Sequence, residues 1–373
     1  MLKSILQNFP SRKPAPAPGL PSGAESEFFD HLMARFFSGL DELQENNFDY
    51  ERFNIAPGTP VGGDARRSFL WYQMMREHLA PMTQVRNLFK DKVSRDLYDD
   101  LLLYRLSGHA HMRLPTNNER HWAMREAARG YQTGDSGISG FPRPLGRFGI
   151  EFDGESIDLQ CWEGNVAWTF LIKQYYFGRE GVVIQVEPGD IVIDAGACFG
   201  DTALAFAASA GPDGRVLAFD IMPGHLEVIR ANLASNPRLG GRIEAVEAAL
   251  SESNVEMLYI HGEGPGAYVS GNPSPQAVTV TTIDEMAARR LLPRIDFIKM
   301  DIEGAEGAAL RGATRSIKRW RPKLAISLYH RPADIWELPL LIDSMGVDYD
   351  YYLDHYTIHT EETVLYAVPR PPA

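Results

Sequence analysis

The stretch of sequence that decides the fold is GDIVIDAGACFGDT, residues 189–202. Its apolar centre, IVI at 191–193, is typical of a buried strand, and the Ala-rich segment 203–210 that follows predicts a helix. Gly196 and Gly200 lie between the two elements, so a glycine turn is predicted where the strand ends. Such a turn lets a ligand approach the backbone, where the free N–H groups of the helix can bind it.

A carboxylate at the end of the next predicted strand indicates which ligand this turn accommodates. The strand RVLAFD, residues 215–220, ends in Asp220, 20 residues after Gly200, where a carboxylate can accept both hydroxyls of a ribose. An NAD-binding turn would have the spacing G-x-G-x-x-G, whereas this chain has G-x-x-x-G and places the acidic Asp194 directly before the turn. S-adenosylmethionine has an amino acid end and a ribose but no phosphate, so it fits this pattern better than a dinucleotide does.

Two further strands are predicted to end at the same edge of the sheet. Segment 242–246 predicts a strand that leads into Ala248 and Ala249, against whose backbone the adenine is expected to lie. The run IDFIKMDIEGAE, residues 295–306, predicts a strand that ends in three carboxylates around a glycine and opens a helix. Because ligands of open α/β sheets lie beyond the carboxyl ends of the strands, Asp301 and Glu303 are expected to face the site.

These segments resemble a known family. The runs IDFIKMDIEGAEGAALRGA (295–313) and DAGACFGDTALAFA (194–207), with TID at 282–284, are similar to the FkbM family of S-adenosylmethionine-dependent methyltransferases. The resemblance covers roughly residues 150–368 and implies an α/β, Rossmann-like class I methyltransferase fold. It also implies a seven-stranded, mostly parallel sheet in the order 3-2-1-4-5-7-6, with the last strand antiparallel. The alternating segments 348–353 and 363–368 agree with two closing strands.

The predicted cofactor is S-adenosylmethionine, and its predicted site combines the glycine turn with the ends of the neighbouring strands. One departure from the family is that Asp220 stands where members often carry Glu followed closely by Pro. The side chain of Asp is shorter than that of Glu by one methylene, and we expect ribose binding to be retained. The predicted cofactor-binding residues are Asp194, Gly196, Ala197, Gly200, Asp201, Thr202, Asp220, Ile221, Ala248, Ala249 and Asp301.

Methyl transfer is an in-line displacement, so catalysis is mostly alignment, but a hydroxyl acceptor must also lose its proton to a base. The candidate catalytic residues are Asp301, His330, Glu303 and Lys299. His330 ends a predicted strand and has a near-neutral ordinary pKa, although a packed or capping histidine is an equal alternative. Lys299 can pair with a buried acid as easily as contact a substrate. His355, Tyr356 and His359 form a second polar cluster, which is expected in the acceptor pocket or in a solvated loop.

No metal site is predicted. Asp301, Glu303 and Glu306 can hold a divalent cation through oxygen ligands, but the same spacing suits a helix N-terminus, so a cation is not favoured. The two cysteines, Cys161 and Cys198, are too few for a disulfide scaffold. Cys198 is interpreted as a small apolar filler of the turn, because no basic neighbour is evident that would lower its pKa.

Composition excludes several classes of partner. The chain has 37 Lys and Arg against 49 Asp and Glu, a formal net charge of −12, which argues against a broad nucleic-acid surface. A basic run from Arg311 to Arg321 is interpreted as the solvated end of a helix. No apolar run is long enough for a membrane helix, and the N-terminus does not resemble a secretory signal, so a cytoplasmic protein is predicted.

The chain is predicted to comprise four parts. Residues 1–25 form a disordered, Pro-rich lead-in, 26–130 a helical N-terminal region, 131–149 a linker, and 150–373 the methyltransferase domain. Within these parts, helices are predicted over 69–79, 85–103 and 118–130, and strands over 148–159 and 166–170. The helical region is expected to serve as a lid, a substrate collar or a contact of a homodimer.

The sequence therefore predicts a methyltransferase that methylates a hydroxyl of a small molecule, a sugar or a natural product. An acceptor nitrogen or a macromolecular acceptor on the same fold is the alternative. A NAD-dependent oxidoreductase and a non-catalytic protein that binds S-adenosylmethionine are the remaining readings.

Overall fold

A computed structural model of the chain describes residues 23–62, 65–254, 257–262 and 264–371. Of the predicted lead-in, residues 1–22 lie outside the described part, and residues 23–25 already belong to the first helix. In the described part of the chain, no helix is long and apolar enough to cross a membrane.

The N-terminal region is helical, as the periodicity predicts. Asp91 and Asn118 begin two of its helices, since their side chains accept hydrogen bonds from the backbone N–H of Ser94 and His121, respectively. The helix predicted over 85–103 is split around Asp91, where a new helix starts. The helices are α1 (Gly23–Gly39), α2 (Ala65–Glu77), α3 (Leu79–Leu88), α4 (Lys92–Ser107) and α5 (Glu119–Arg129).

The segment after α5 is more structured than predicted. It contributes two strands where a linker over 131–149 was expected, so that prediction is wrong in part. Asp153 and Gly154, both with positive φ, turn the chain between the second and third strands. The strands are β1 (Gln132–Asp135), β2 (Gly146–Phe152) and β3 (Glu155–Cys161), which form an antiparallel sheet, and the hairpin β4 (Phe177–Arg179) and β5 (Val182–Ile184).

The strand predicted over 166–170 is wrong. The chain is helical there, with a short turn at Glu163–Asn165 followed by a π-helical turn at Val166–Leu171. An apolar run of five residues is too short for its periodicity to separate a strand from a buried helix. This helical turn packs between α5 and the helix that follows the glycine turn.

The remaining strands and helices alternate. The strands are β6 (Ile191–Ala195), β7 (Arg215–Asp220), β8 (Ile243–Glu247), β9 (Ala249–Leu250), β10 (Leu258–His261), β11 (Tyr268–Ser270), β12 (Ala277–Val278), β13 (Val280–Thr281), β14 (Phe297–Met300), β15 (Lys323–Ser327), β16 (Tyr349–His355) and β17 (Thr363–Pro369). The helices are α6 (Asp201–Ala210), α7 (Pro223–Ser235), the short turn Pro237–Gly240, α8 (Ile283–Arg289), α9 (Glu306–Arg311), α10 (Thr314–Trp320) and α11 (Asp334–Ser344).

Seven strands form the central sheet, in the order β8-β7-β6-β14-β15-β17-β16. Within this sheet the neighbours among β8, β7, β6, β14 and β15 pair in parallel. Strand β17 runs antiparallel to both β15 and β16. Numbered along the chain, this is the order 3-2-1-4-5-7-6. The carboxyl ends of β6, β7, β14 and β15 therefore meet at one edge, where the predicted site residues lie.

Two hydrophobic clusters cover the two faces of this sheet. Neighbouring residues of β6 show the alternation, because Val192 belongs to one cluster and Ile193 to the other. The cluster on the Ile193 face also contains Leu32, Met75 and Leu101 from the N-terminal helices. The N-terminal helices thus share one core with the sheet.

Candidate active site

The glycine turn after β6 is held in place by its neighbours. Gly196 has φ +83°, and a Cβ atom there would lie 1.8 Å from the carbonyl oxygen of Asp301, so only glycine fits. The backbone N–H groups of Gly196 and Ala197 donate to the carbonyl of Phe219 at the end of β7, at 3.0 and 2.9 Å. Gly200, with φ +80°, ends the turn and begins α6.

Asp194 lies beneath this turn and does not line a cavity. Its side chain is 0% exposed, its Oδ1 lies 3.1 Å from Nζ of Lys299, and its Oδ2 accepts a 2.7 Å hydrogen bond from Thr202. Lys299 also donates to the carbonyl of Gly196 at 2.6 Å. Burial lowers the pKa of Lys299, but the carboxylates of Asp194 and Asp301 outweigh burial and raise the pKa above its ordinary value. Asp194 therefore meets an ammonium of its own chain, not the ligand that the sequence analysis expected it to face.

Asp220 connects the end of β7 to the glycine turn. Its Oδ2 accepts a hydrogen bond from the N–H of Cys198 at 2.9 Å, and its Oδ1 accepts one from Met222 at 2.8 Å. His225, one turn into α7, places Nδ1 3.2 Å from the same carboxylate. The Nε2 atom of His225 is buried and has no partner among the described residues, although the side chain borders a cavity. A polar atom in this position indicates room for a polar ligand.

A cavity of about 500 Å³ opens at this edge of the sheet. It contains most of the predicted cofactor-binding residues, whereas Asp194, Ala197 and Gly200 support the turn from behind. All four candidate catalytic residues border it. The predicted residues that line it are Gly196, Asp201, Thr202, Asp220, Ile221, Ala248, Ala249, Lys299, Asp301, Glu303 and His330.

Asp301 is the centre of a network of hydrogen bonds at the end of β14. Tyr175 donates to its Oδ2 at 2.8 Å, and Tyr329 donates to its Oδ1 at 2.9 Å. Nε2 of His330 lies 3.2 Å from the same Oδ1. Burial raises the pKa of Asp301, but hydrogen bonding and charge from His330, together with Lys299, lower it well below its usual range. Asp301 is therefore an ionised group that orients its neighbours and a poor acceptor of protons.

His330 lies between carboxylates and differs from the sequence expectation. Its Nδ1 donates to Glu306 at 2.8 Å, and Glu306 is 0% exposed. Burial lowers the pKa of His330, but Glu306, Asp301 and Glu303 outweigh burial and raise it well above the ordinary value. The near-neutral pKa on which the sequence argument for a base depends is thus absent in this environment, and His330 is an imidazolium at neutral pH.

Glu303 has the opposite character. It lies in the turn after β14, directly before Gly304, has φ +53°, borders the cavity, and keeps 34% of its side chain exposed. Burial, opposed by His330 and supported by Asp301 and Glu306, raises the pKa of its carboxyl to about 8. Of the four candidates, it is the one whose proton can be exchanged near neutral pH.

Two residues that sequence reasoning missed, Arg52 and Glu362, complete the network. Glu362 accepts hydrogen bonds from Arg52 at 2.9 Å, from Gln174 at 2.8 Å and from Tyr329 at 3.2 Å. Arg52 belongs to the loop between α1 and α2, so the N-terminal region contributes directly to the site. The sequence carries no signal for the contact between Arg52 and Glu362, because these two residues are 310 positions apart. Tyr175 has a left-handed backbone with φ +75°, a feature that the sequence does not reveal.

Two of the three carboxylates at the end of β14, Asp301 and Glu306, are held by hydrogen bonds from the protein. In the described part of the chain, no group of three or more His, Cys, Asp or Glu side chains is arranged to hold a metal ion. Glu306 is the clearest case, since its Oε1 accepts from the N–H of Ile302 as well as from His330.

The second polar cluster, His355, Tyr356 and His359, neither lines the cavity nor lies in a solvated loop. All three side chains are buried where the N-terminal region contacts the connection between β16 and β17. Burial lowers the pKa of His359 to about 3 and the pKa of His355 well below its ordinary value. Cys198 borders the cavity, but burial raises the pKa of its thiol, in agreement with its reading as a filler.

Comparison with known proteins agrees with this geometry. Residues 194–355 match the family model described as the methyltransferase FkbM domain. A crystal structure of methyltransferase FkbM from Methylobacillus flagellatus KT superposes with a TM-score of 0.51 at 19% identity, covering 86% of this chain and 66% of that one. At this identity the likeness concerns the fold.

Two other matches are more limited. A demethylmenaquinone methyltransferase from Symbiobacterium thermophilum is 44% identical over 50 residues, which are 13% of this chain and 20% of that protein. The matched stretch thus spans about a fifth of this curated relative. Fibrillarin from Aeropyrum pernix, solved with bound S-adenosylmethionine, gives a TM-score of 0.34 at 14% identity over 63% of this chain and 99% of that one, too distant to carry an argument.

The resemblance predicted from the sequence is confirmed over residues 194–355, which match the methyltransferase FkbM domain.

Proposed function

We propose that this chain transfers a methyl group from S-adenosylmethionine to a hydroxyl oxygen of a small molecule, a sugar or a natural product. One observation carries the proposal: a single cavity contains both Asp220 beside the glycine turn and Glu303 beside the Asp301 network. A ligand bound at the turn and an acceptor bound at Glu303 would therefore share one enclosed space.

The residues beside the turn fit S-adenosylmethionine. Gly196 lets the turn pack against the carbonyl of Asp301 beside the cavity, and the Asp220 carboxylate can accept from ribose hydroxyls while it keeps its bonds to backbone N–H groups. The unpartnered Nε2 of His225 supplies a further polar contact at this end of the cavity. Ala248 and Ala249 offer small side chains where the adenine is expected.

Lys299 and Asp194 take positioning roles in this proposal. Their ion pair is buried directly below the turn, and Lys299 also holds the carbonyls of Ala195 and Gly196 at 3.2 and 2.6 Å. The pair fixes the backbone that the ligand contacts. Lys299 is charged and engaged, so it does not serve as the base.

Glu303 is the proposed proton acceptor. When bound, S-adenosylmethionine supplies an electrophilic methyl group, and the acceptor hydroxyl must lose its proton as its oxygen is methylated. Glu303 borders the cavity with an accessible carboxyl whose pKa is raised to about 8 by burial. A base with this pKa is partly ionised at neutral pH and holds a proton well once it has accepted it. His330 and Asp301 orient this end of the cavity.

A small acceptor is supported by what covers the cavity. Arg52, Trp71 and Arg105 from the N-terminal region border it on one side. Residues of the β10–β11 connection and of β11 border it on another: Gly264, Gly266, Ala267, Tyr268 and Val269. A macromolecular substrate would have to displace one of these segments.

The proposal is tested by transfer of a labelled methyl group from S-adenosylmethionine to a panel of hydroxylated small molecules, each paired with its amino analogue. The expected products are methyl ethers, formed by the wild type and reduced at least a hundredfold by Glu303→Gln. Products that are only N-methylated would refute the assignment of oxygen as the acceptor atom. Methylation of RNA or protein, without any methylation of a small molecule, would refute the substrate class.

A further inference from the structure

Two arginines of the N-terminal region lie on one wall of the cavity. This wall is formed by Arg67 from α2 and Arg105 from the last turn of α4, together with the apolar side chains Leu70, Trp71 and Met74. We call these five residues the N-terminal wall. None of them belongs to the cofactor-binding or proton-accepting groups described above.

Arg105 is a guanidinium with few partners. Its Nη1 donates to the carbonyl of Leu101 at 3.1 Å, and its Nη2 reaches the carbonyl of Thr360 at 3.5 Å, at the limit of a hydrogen bond. Its Cζ lies 5.8 Å from the centre of the Trp71 ring. Among the described residues, no carboxylate lies within ion-pair distance of Arg105. A guanidinium has five N–H donors, so these two hydrogen bonds leave most of the donors of Arg105 available to a ligand.

Two other arginines that contact the N-terminal helices, Arg86 and Arg179, are paired with acids. Arg86 binds Asp99 through both carboxylate oxygens, at 2.8 and 3.0 Å. Arg179 contacts Asp91 and Asp354. Arg105 differs from them in facing the cavity without an acid, which is the arrangement expected where a ligand supplies the negative charge.

The charge of Arg67 acts on Arg105. Burial, together with the nearby positive charge of Arg67, lowers the pKa of Arg105 to about 10, and Tyr98 partly offsets this shift. Arg105 is still charged at neutral pH, so two cations share one wall of the cavity. Six carboxylates border the cavity, and among the described residues none of them pairs with Arg105: Asp201, Asp220, Asp301, Glu303, Glu361 and Glu362.

We propose that Arg105, with Arg67 beside it, binds an oxyanion group of the methyl acceptor, a carboxylate or a phosphate, so that the substrate is an acidic hydroxylated molecule. The proposal rests on the proposed function, because it names the class of substrate for the same site. Leu70, Trp71 and Met74 would contact the body of the acceptor, and Arg105 would set its orientation toward Glu303.

The first test needs no acceptor and no activity. Acetate and inorganic phosphate are titrated onto the full chain while the side-chain ¹⁵Nε resonance of Arg105, identified by its loss in Arg105→Gln, is followed by NMR. A saturable shift is expected with at least one anion, and the anion whose curve saturates first distinguishes a carboxylate from a phosphate subsite. The resonance of Arg76, an exposed arginine of α2 outside the cavity, serves as the internal control and should not saturate.

Removal of a charged hydrogen-bond donor gives the expected size of the effect. In Arg67→Gln, the affinity read at Arg105 should fall about tenfold, while Arg76→Gln should leave it unchanged. Absence of saturation with both anions would overturn the proposal. An affinity that is the same in Arg67→Gln as in the wild type would also overturn it as stated, because Arg67 would then have no part in the site.

Calorimetry with S-adenosylmethionine separates this inference from the proposed function. Arg105→Gln should bind S-adenosylmethionine as the wild type does, and with an acidic acceptor it should raise KM tenfold or more with a smaller change in kcat. Failure of the wild type to bind S-adenosylmethionine, with anion binding retained, would refute the proposed function alone. Equal KM values of wild type and Arg105→Gln for a hydroxylated acid would refute the anion subsite alone.

Discussion

The ion pair between Lys299 and Asp194 gives the most quantitative prediction, because both partners are almost completely excluded from water. Lys299 is 1% and Asp194 0% exposed, and Nζ lies 3.1 Å from Oδ1. At an effective dielectric constant of about 20, two unit charges at this distance attract by about 5 kcal/mol. Lys299→Met removes the ammonium and leaves Asp194 with Thr202 as its donor. We therefore expect a loss of about 3–5 kcal/mol in the free energy of unfolding.

The measurement is urea-induced unfolding of the full chain, followed by tryptophan fluorescence and circular dichroism. Asp194→Asn should be similarly destabilising, whereas the double variant Lys299→Met/Asp194→Asn should be more stable than the sum of the two losses predicts. Lys92→Met is the matched control, because its pair with Asp96 is exposed at 80% and 50%. It should change the stability by less than about 1 kcal/mol.

Two results would refute this reasoning. A loss below about 1 kcal/mol in Lys299→Met would mean that Asp194 does not depend on the ammonium. Additive losses in the double variant would mean that the two side chains are not coupled. A Lys299→Met protein of normal stability that binds S-adenosylmethionine but has lost kcat would restore Lys299 to the catalytic group.

The remaining predictions concern the proton acceptor, the turn and the buried histidines. The kcat/KM of the wild type should rise with pH through about 8, where Glu303 of the free enzyme becomes ionised, and Glu303→Gln should lose this limb of the pH profile. Gly196→Ala should cost more than about 2 kcal/mol of stability, because it adds a clash to a strained φ, whereas Gly346→Ala, with φ +70° and open space, should cost only about 1 kcal/mol. In the folded chain the pKa of His359 is lowered to about 3, so its imidazole is neutral above that pH. In the unfolded chain the imidazole binds a proton below about pH 6.5. The free energy of unfolding should therefore fall as the pH falls from about 6.5 toward 3. In urea unfolding at several pH values, the free energy of unfolding of His359→Gln should fall less steeply with decreasing pH than that of the wild type, by up to about 1.4 kcal/mol per pH unit. Equal slopes in the two proteins would contradict the burial of a neutral imidazole.

The fold was accessible from the sequence because its signals are local. The glycines directly follow the apolar run of β6, the acid at the end of β7 comes 20 residues after Gly200, and each has a direct meaning for the backbone. The short run at 166–170 shows where this reasoning failed, since five residues do not decide between periods of two and 3.6.

The partners within the site were less accessible, because they depend on which strands are neighbours and in what register. Lys299 faces Asp194 since β14 lies beside β6 with these two residues opposite each other. The same holds for His330, whose pKa depends on Glu306 and Asp301, two residues that only the folded chain brings to it. A general rule about histidine pKa values could not replace that information.

Contacts between distant parts of the chain were not predictable at all. Arg52 contacts Glu362, which is 310 residues later in the sequence. Tyr175 contacts Asp301 from the segment between the π-helical turn and β4. Neither residue lies in a motif, because each contact follows from tertiary packing and leaves no pattern in the sequence.

The central claim, that the cavity beside the glycine turn binds S-adenosylmethionine through Asp220, is tested most directly by isothermal titration calorimetry. The wild type is expected to bind at one site, and Asp220→Ala to bind at least about tenfold more weakly, because hydrogen bonds to a charged group are lost. Asp213→Ala, which removes an exposed carboxylate outside the cavity, should bind like the wild type. A folded wild-type protein that does not bind S-adenosylmethionine, or an Asp220→Ala variant with unchanged affinity, would contradict the account.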